Sequence, residues 1–153
     1  MKSFIIFSLI LFISINNNIF AQANKYNLKK VDNVYVQIDS KELLSGKIAQ
    51  KLETEIKLKL MSAGIKIVPL EEAKAILKIS CNAIESNFAP HRIIAMLTLH
   101  EKVITERETK PETYAITYFD YSFFTSKNIE NAVYDKVMDV MLIKFIEEYL
   151  SAK

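Results

Sequence analysis

Glycine is scarce in this sequence. Gly46 and Gly64 are the only two among its 153 residues. Neither lies in a glycine-rich motif, which excludes the dinucleotide-binding fingerprint, the phosphate-binding loop, the kinase glycine-rich loop and the Gly-x-Ser-x-Gly nucleophile elbow. Enzymes that build their active site on such a turn are therefore excluded.

Thiols and imidazoles are equally scarce. The single cysteine, Cys81, excludes an intramolecular disulfide, and the spacing of His91 and His100 matches no zinc motif. Cys81 alternates with apolar residues, which predicts a buried structural thiol rather than a nucleophile. Three pairs of nearby glutamates are expected to be solvated. We therefore predict no catalytic residue, no metal and no cofactor, and we expect the protein not to be an enzyme.

An excess of charge of one sign is also lacking. Twenty lysines and arginines face 18 aspartates and glutamates, a formal net charge of +2, and only two of the basic residues are arginines. There is no basic stripe, so we predict that nucleic acid is not a partner. Half of the residues are apolar and a quarter are charged, which is typical of one globular domain.

Residues 1–23 have the pattern of a signal peptide. Lys2 precedes a twelve-residue apolar stretch, residues 4–15, and Ala21 and Ala23 form a small-x-small cleavage site. We expect cleavage after Ala21 or Ala23 and a periplasmic or secreted protein. The alternative is an uncleaved membrane anchor. No cysteine lies near the junction, so a lipid anchor is not expected.

Residues 24–153 are predicted to form a single α+β domain. The domain opens with a strand at residues 34–38, a long helix at residues 40–63 and a second strand at residues 65–68, a parallel strand–helix–strand unit. Asp39 and Glu42 are the expected N-terminal cap and its capping-box partner, and Gly64 the C-terminal cap. The helix has an apolar residue at every fourth position: Leu44, Ile48, Leu52, Ile56 and Leu60.

The second half of the domain is predicted to be a meander followed by a helix. Alternating apolar residues mark strands at residues 75–84, 92–105 and 113–125, and residues 128–150 form the second long helix, with Ser126 as its cap. One helical turn is expected near residues 70–74. The sequence thus predicts a single mixed sheet of about five strands with two long helices packed on one face.

Several stretches resemble small secreted proteins of the bacterial envelope. These stretches are LMSAGIKIVP at residues 60–69, EEAKAILKIS at residues 71–80 and FIEEYLSAK at the last nine positions. The layout resembles the lipopolysaccharide-assembly lipoprotein, which plugs an outer-membrane translocon, and the curli-secretion and penicillin-binding-protein-activator lipoproteins. It is also similar to uncharacterised secreted proteins that end in Phe-Ile-x-x-Tyr-Leu. The resemblance implies a periplasmic accessory or assembly role without catalysis.

The fifth predicted strand is rich in aromatic residues. Alternation places Tyr114, Tyr118 and Phe124 on one face of the sheet. It places three others on the opposite face: Phe119, Tyr121 and Phe123. Because the two faces cannot both meet the same helices, one aromatic face is left for solvent, a ligand or a partner. Core or edge packing is the alternative to a binding surface.

The last helix carries two apolar ridges. The first contains Ile129, Val133, Val137, Met141, Phe145 and Tyr149, which is sufficient to attach a helix to a sheet. The second ridge contains Tyr134, Met138, Leu142, Ile146 and Leu150. We predict that the second ridge binds a partner protein or a second copy of the chain, because exposed apolar patches commonly mark interfaces. Deeper burial within the domain is the alternative.

Two hypotheses on function follow. The leading one is a secreted accessory protein of the bacterial envelope that acts by protein–protein interaction, through an envelope protein or by self-association. The alternative is a carrier of a small apolar ligand or lipid, which requires an internal cavity lined by Cys81, Leu97 or Met141. Contact with a membrane is expected only if the leader is not cleaved.

Overall fold

A computed structural model describes residues 28–40, 43–84, 91–106 and 109–153. The predicted signal peptide, its cleavage site and the predicted capping residue Glu42 lie outside these residues. Among the described residues, no helix combines the length and the apolar character needed to cross a membrane.

The chain opens with a parallel unit of two strands and a helix. Strand β1, Asn33–Asp39, is followed by helix α1, Gly46–Ser62, and by the short strand β2, Lys66–Ile67. Strand β2 pairs in parallel with β1, as predicted. Gly64 follows the helix with a φ of +85°, a left-handed conformation that suits glycine and ends the helix.

The predicted start of α1 is wrong by about six residues. Asp39, the expected cap, is the last residue of β1, and its carboxylate lies 3.1 Å from the Lys78 ammonium on the neighbouring strand. The Leu43 N–H donates to the Ser40 carbonyl, which forms a turn before the helix. Ser45 occupies the position before the first helical residue and makes no side-chain cap. Strand β1 thus continues through the residue that the local pattern marked as a cap, and Asp39 pairs with Ser80 of β3.

Three antiparallel strands complete a single sheet: β3, Ala75–Ile84, β4, His91–Ile104, and β5, Glu112–Ser126. The strand order is β2-β1-β3-β4-β5, with β1 parallel to β3. A single 3-10 turn, Leu70–Glu72, precedes β3. The mixed five-stranded sheet and the α+β class are as predicted.

A β-bulge interrupts the pairing of β4 with β5. Leu99 lies opposite Tyr118, whereas the next residue, His100, lies opposite Ile116. Thr117 is therefore the extra residue of β5, and its hydroxyl donates to the Leu99 carbonyl at 3.5 Å. A single extra residue reverses the side-chain alternation of everything before it on that strand.

The C-terminal helix, α2, consists of three segments: α-helical Ile129–Lys136, a π-helical turn Val137–Met141 and α-helical Leu142–Ala152. Its cap is Asn128, whose side chain accepts a hydrogen bond from the Asn131 N–H, and not the predicted Ser126. The Leu142 N–H donates to the Val137 carbonyl, five residues back. The π turn thereby inserts one residue into the helix.

Both helices pack on one face of the sheet, as predicted, and form the core with it. Leu52, Ile56 and Leu60 from α1 contact the alternate residues of β1, β3 and β4 that point the same way. Cys81 belongs to this core as a fully buried free thiol. Burial raises the pKa of the Cys81 thiol to about 12. The thiol therefore stays protonated and packs as a small apolar group.

The second apolar ridge of α2 was predicted to lie on a free surface, but its central residues do not. Met138 and Leu142 are buried in the chain's own core, so the expectation that a partner buries them is wrong. The extra residue of the π turn explains the error, because Val137, Met138, Met141 and Leu142 all turn toward the sheet. The first ridge is buried as predicted, except for Ile129, which is half-buried.

A matched pair of substitutions tests this burial. Leu142→Glu should unfold the domain, because an unpaired buried carboxylate costs a large part of a total stability of only about 5–15 kcal/mol. Leu150 belongs to the same predicted ridge but is 52% exposed. Leu150→Glu is therefore the control, with an expected change within about 0.5 kcal/mol. Thermal melts followed by circular dichroism measure both, and a folded Leu142→Glu protein would contradict the burial.

Candidate functional site

The face of the sheet that points away from both helices carries a cross-strand aromatic cluster. The ladder places Ile94 opposite Phe123, Met96 opposite Tyr121 and Thr98 opposite Phe119. The neighbouring strands add four polar positions and one apolar position to this face: Tyr35, Gln37, Lys78 and Ser80, and Ile76. We call this surface the open face, because no helix of the described residues packs on it.

Three aromatic side chains of β5 dominate the open face. The exposed fraction is 47% for Phe119, 62% for Tyr121 and 55% for Phe123. The rings of Phe119 and Tyr121 lie side by side, with centroids 5.8 Å apart and planes 32° from parallel. The prediction that these three share one face of the sheet is confirmed, and it is this face that the helices leave uncovered. The sequence pattern places these residues correctly because side chains alternate regularly between the two faces of the strand from residue 118 onward.

Tyr114 also belongs to the open face, contrary to the prediction. It lies opposite Lys102 and is 42% exposed, whereas Tyr118 is buried and Phe124 is half-buried in the core. The bulge at Thr117 separates Tyr114 from the alternation of the later residues. Four aromatic side chains that are each about half exposed leave roughly 300–500 Å² of accessible surface. A patch of this size on a soluble domain commonly marks a contact site.

Polar groups border the aromatic cluster on the β1 side. The His100 Nε2 lies 2.9 Å from the Thr98 hydroxyl, and Lys78 forms the ion pair with Asp39. Partial burial, with a contribution from the Lys78 charge, lowers the pKa of His100. His100 is thus neutral at physiological pH and offers hydrogen-bonding groups without a charge.

A shallow depression of about 250 Å³ lies on this polar border. Its lining residues come from four strands: Gln37, Ile76, Lys78, His100 and Tyr114. Within the described ranges, no group of three or more histidine, cysteine, aspartate or glutamate side chains could hold a metal ion. The depression brings an aromatic ring next to polar groups.

The other side of β5 is tied to α2. The Tyr118 ring packs edge-on against Phe145, with centroids 5.1 Å apart and an interplanar angle of 84°. The Asp120 carboxylate forms an ion pair with Lys144 at 2.8 Å. These contacts fix the orientation of the strand, so the three open-face aromatics are held on a rigid support.

One polar contact beneath β5 is left incomplete. The Tyr118 hydroxyl and the Glu148 Oε2 are both buried and face each other, but no hydrogen bond of good geometry forms between them or to another described group. Burial raises the pKa of the Glu148 carboxyl, although the Lys144 ammonium opposes the shift. Burial also raises the pKa of Tyr118. A carboxylate that is desolvated without a well-formed hydrogen bond weakens this part of the fold.

The other residues of the predicted α2 surface lie apart from the open face. The Tyr134 hydroxyl donates to the Glu55 carboxylate on α1, which raises the pKa of Tyr134 to about 12, and the Lys51 ammonium lies 4.5 Å from the centre of the Tyr134 ring. Tyr134 thus joins the two helices. Ile146 is half-buried and lines a groove of about 350 Å³ between the helices, together with Leu58 and Leu150.

Sequence comparison assigns no family to this chain. No protein-family model matches the sequence, and no curated protein is similar to it.

Solved structures give low-similarity matches. A PelC dodecamer from Paraburkholderia phytofirmans is 12% identical over 82% of this chain and 90% of its own, with a TM-score of 0.43. A minor lipoprotein from Acinetobacter baumannii is 11% identical over 79% and 94%, with a TM-score of 0.41. The hypothetical protein CT253 from Chlamydia trachomatis is 11% identical over 80% and 99%, with a TM-score of 0.44.

These matches do not assign a function. All three TM-scores are below one half, so the likeness establishes neither a shared fold nor a shared role. None of the three is described as a lipopolysaccharide-assembly or curli-secretion protein, and that resemblance stays a prediction.

The incomplete contact under β5 predicts a pH-dependent stability. Because the folded state raises the pKa of Glu148, it holds the proton at a pH where the unfolded chain has lost it. The free energy of unfolding then falls as the pH rises through the interval between the unfolded and folded pKa values. Glu148→Gln should therefore raise the Tm at pH 7, and this gain should vanish below about pH 4, where the wild-type carboxyl is protonated in both states.

Differential scanning calorimetry at the two pH values measures the effect. Glu147→Gln, at the exposed neighbouring position, is the matched control and should not change the Tm difference. A Glu148→Gln protein that is less stable than the wild type at pH 7 would show that the carboxylate is stabilised in the fold.

Proposed function

We propose that this protein is an exported, non-enzymatic accessory protein of the bacterial envelope that acts by binding another protein through its open face. The observation that supports the proposal is the uncovered cluster of Phe119, Tyr121 and Phe123 on a rigid sheet. Removing apolar surface from water is favourable by about 25 cal/mol for each Å². A partner that covers these side chains therefore gains affinity.

The chemistry of the open face suits a protein partner. Its centre is made of aromatic residues and of Met96 and Ile94, and its border carries His100, Lys78 and Gln37. An apolar, aromatic centre with a polar rim is the usual composition of a protein–protein interface. Because the aromatic rings are already ordered by the sheet, binding does not require much loss of side-chain entropy.

Two further considerations support an accessory role. Cys81 is a protonated, fully buried thiol, and the Thr98 hydroxyl that lies beside His100 is itself buried, so neither group is well placed to attack a substrate. The location in the envelope rests on the leader at residues 1–23, with its apolar stretch and its cleavage pattern.

The alternative hypothesis of a carrier gains no support. It requires a cavity lined by Cys81, Leu97 or Met141, and all three are fully buried in packed core. The two depressions described above are lined by other residues.

Site-specific photocrosslinking tests the proposal. A photoreactive phenylalanine analogue replaces Tyr121 in one variant and Met61 in another, since Met61 is 50% exposed on α1 and lies on the other side of the domain. In the envelope fraction of producing cells, the variant at position 121 should give a discrete crosslinked protein and the variant at 61 should not. Equal crosslinking at both positions, or none at 121, would contradict the proposal.

Affinity measurements then identify the residues that matter. With the captured partner purified, Phe119→Ser or Phe123→Ser should weaken binding roughly 30-fold or more, as expected for an aromatic hot spot worth about 2 kcal/mol. Leu58→Ser, in the groove between the helices, is the control and should leave the affinity unchanged.

A further inference from the structure

Strand β5 is the single long free edge of the described sheet. It contains 15 residues and stands last in the strand order, with β4 as its neighbour. The opposite edge is β2, which has only two residues. A free edge presents a row of unpaired N–H and C=O groups, which is a template for another strand.

The register shows which backbone groups face outward. The Lys102 N–H donates to the Lys74 carbonyl on the β3 side, whereas the Thr105 N–H donates to the Pro111 carbonyl on the β5 side. Because ladder bonds recur at every second residue, even positions of β4 bond to β3 and odd positions bond to β5. The partners of Phe119, Tyr121 and Phe123 are even positions. These three residues therefore direct their N–H and C=O groups to the free edge.

The edge lacks the usual protection against pairing. Residues 113–126 contain no lysine, no proline and no glycine, and their single charge is Asp120. The Asp120 side chain is only 15% exposed and is paired with Lys144 on the helix side. Inward-pointing charges, edge lysines and prolines are the devices that keep isolated edges apart. Within residues 113–126 the one charge is therefore already neutralised by an ion pair.

Apolar surface borders this edge in the helix layer as well. The Lys136 ammonium lies 5.9 Å from the centre of the Phe124 ring, and Lys144 pairs with Asp120, so this side of α2 lies over β5. Val140 lies one turn from each of these lysines and is 47% exposed. Both layers thus offer apolar side chains next to the same strand.

We propose that β5 pairs in antiparallel register with β5 of a second copy of this chain, about a two-fold axis. The strand is self-complementary in this arrangement, because its two charged residues are Asp120, which is paired within its own chain, and Glu112, which lies at the end of the strand away from the axis. Each molecule has one long edge, so the contact closes as a dimer and does not propagate. The two sheets become one continuous sheet, and Val140 of each copy lies near the axis in the helix layer.

The contact uses the backbone of the edge and the side chains of the helix layer, and it leaves Phe119, Tyr121 and Phe123 on the open face. The inference goes beyond the proposed function, because it uses the edge of β5, whereas the proposed partner covers the face. Pairing would also join two open faces into one surface with two identical sites.

A backbone-specific substitution tests the pairing. Tyr121→Pro removes an N–H that points to the free edge, so it leaves the β4–β5 ladder intact and is compatible with an edge strand. Tyr121→Thr removes the same ring and keeps the N–H, and is the matched control. Sedimentation equilibrium at about 50 μM, well above micromolar dissociation constants, should show dimers for the wild type and Tyr121→Thr. Tyr121→Pro should have a dimer dissociation constant at least tenfold above that of Tyr121→Thr.

A second variant decides the case if Tyr121→Pro does not fold by circular dichroism. Phe119→Lys places like charges near the two-fold axis and should be monomeric. Phe119→Ser introduces no charge and should dimerise more strongly than Phe119→Lys. A monomeric wild type, an open-ended polymer, or a dimer that persists in the folded proline or lysine variant would overturn the proposal. None of these results bears on the binding of an envelope protein to the open face, which crosslinking measures separately.

Discussion

Burial of one face of the sheet against two helices is the constraint on which the rest of the structure depends. The crossover between β1 and β2 places α1 on one side, and α2 packs beside it on the same side, joined through Tyr134 and Glu55. Inward residues of β1, β3 and β4 are buried by these helices. No helix in the described ranges is left for the other face, so that face is open because of the topology.

The fold was predictable because its periodicities are strong and mostly local. Residues 75–84 were predicted as a strand with the bounds that the structure gives to β3, and the ends of β4 and β5 were wrong by about one residue. The start of α1 was not predictable from local signals, because Asp39 is a good capping residue by type. Asp39 instead ends β1 opposite Ser80 of β3, and pairing with a strand so distant in the sequence is not a local signal.

The candidate surfaces, too, were predictable where the sequence pattern is local and regular, and not elsewhere. Phe119, Tyr121 and Phe123 were placed correctly, because alternation within one regular stretch of strand needs no tertiary information. Tyr114 was misplaced by the bulge at Thr117, and Met138 and Leu142 were misplaced by the π turn. Each irregularity adds one residue to a regular element and leaves no composition signal, since neither segment contains glycine or proline. The free edge of β5 depends on the strand order, which the sequence does not specify.

Amide hydrogen exchange along β5, measured by nuclear magnetic resonance on dilute monomeric protein, tests most directly whether the outer edge of this strand is free. The exchange rates are expected to alternate from residue to residue. The amides of Tyr118, Asp120 and Ser122 point to β4 and should be protected, whereas those of Phe119, Tyr121 and Phe123 point to the free edge and should exchange rapidly. Uniform protection of both sets in the monomer would mean that another part of the chain covers the edge, and it would contradict the central claim.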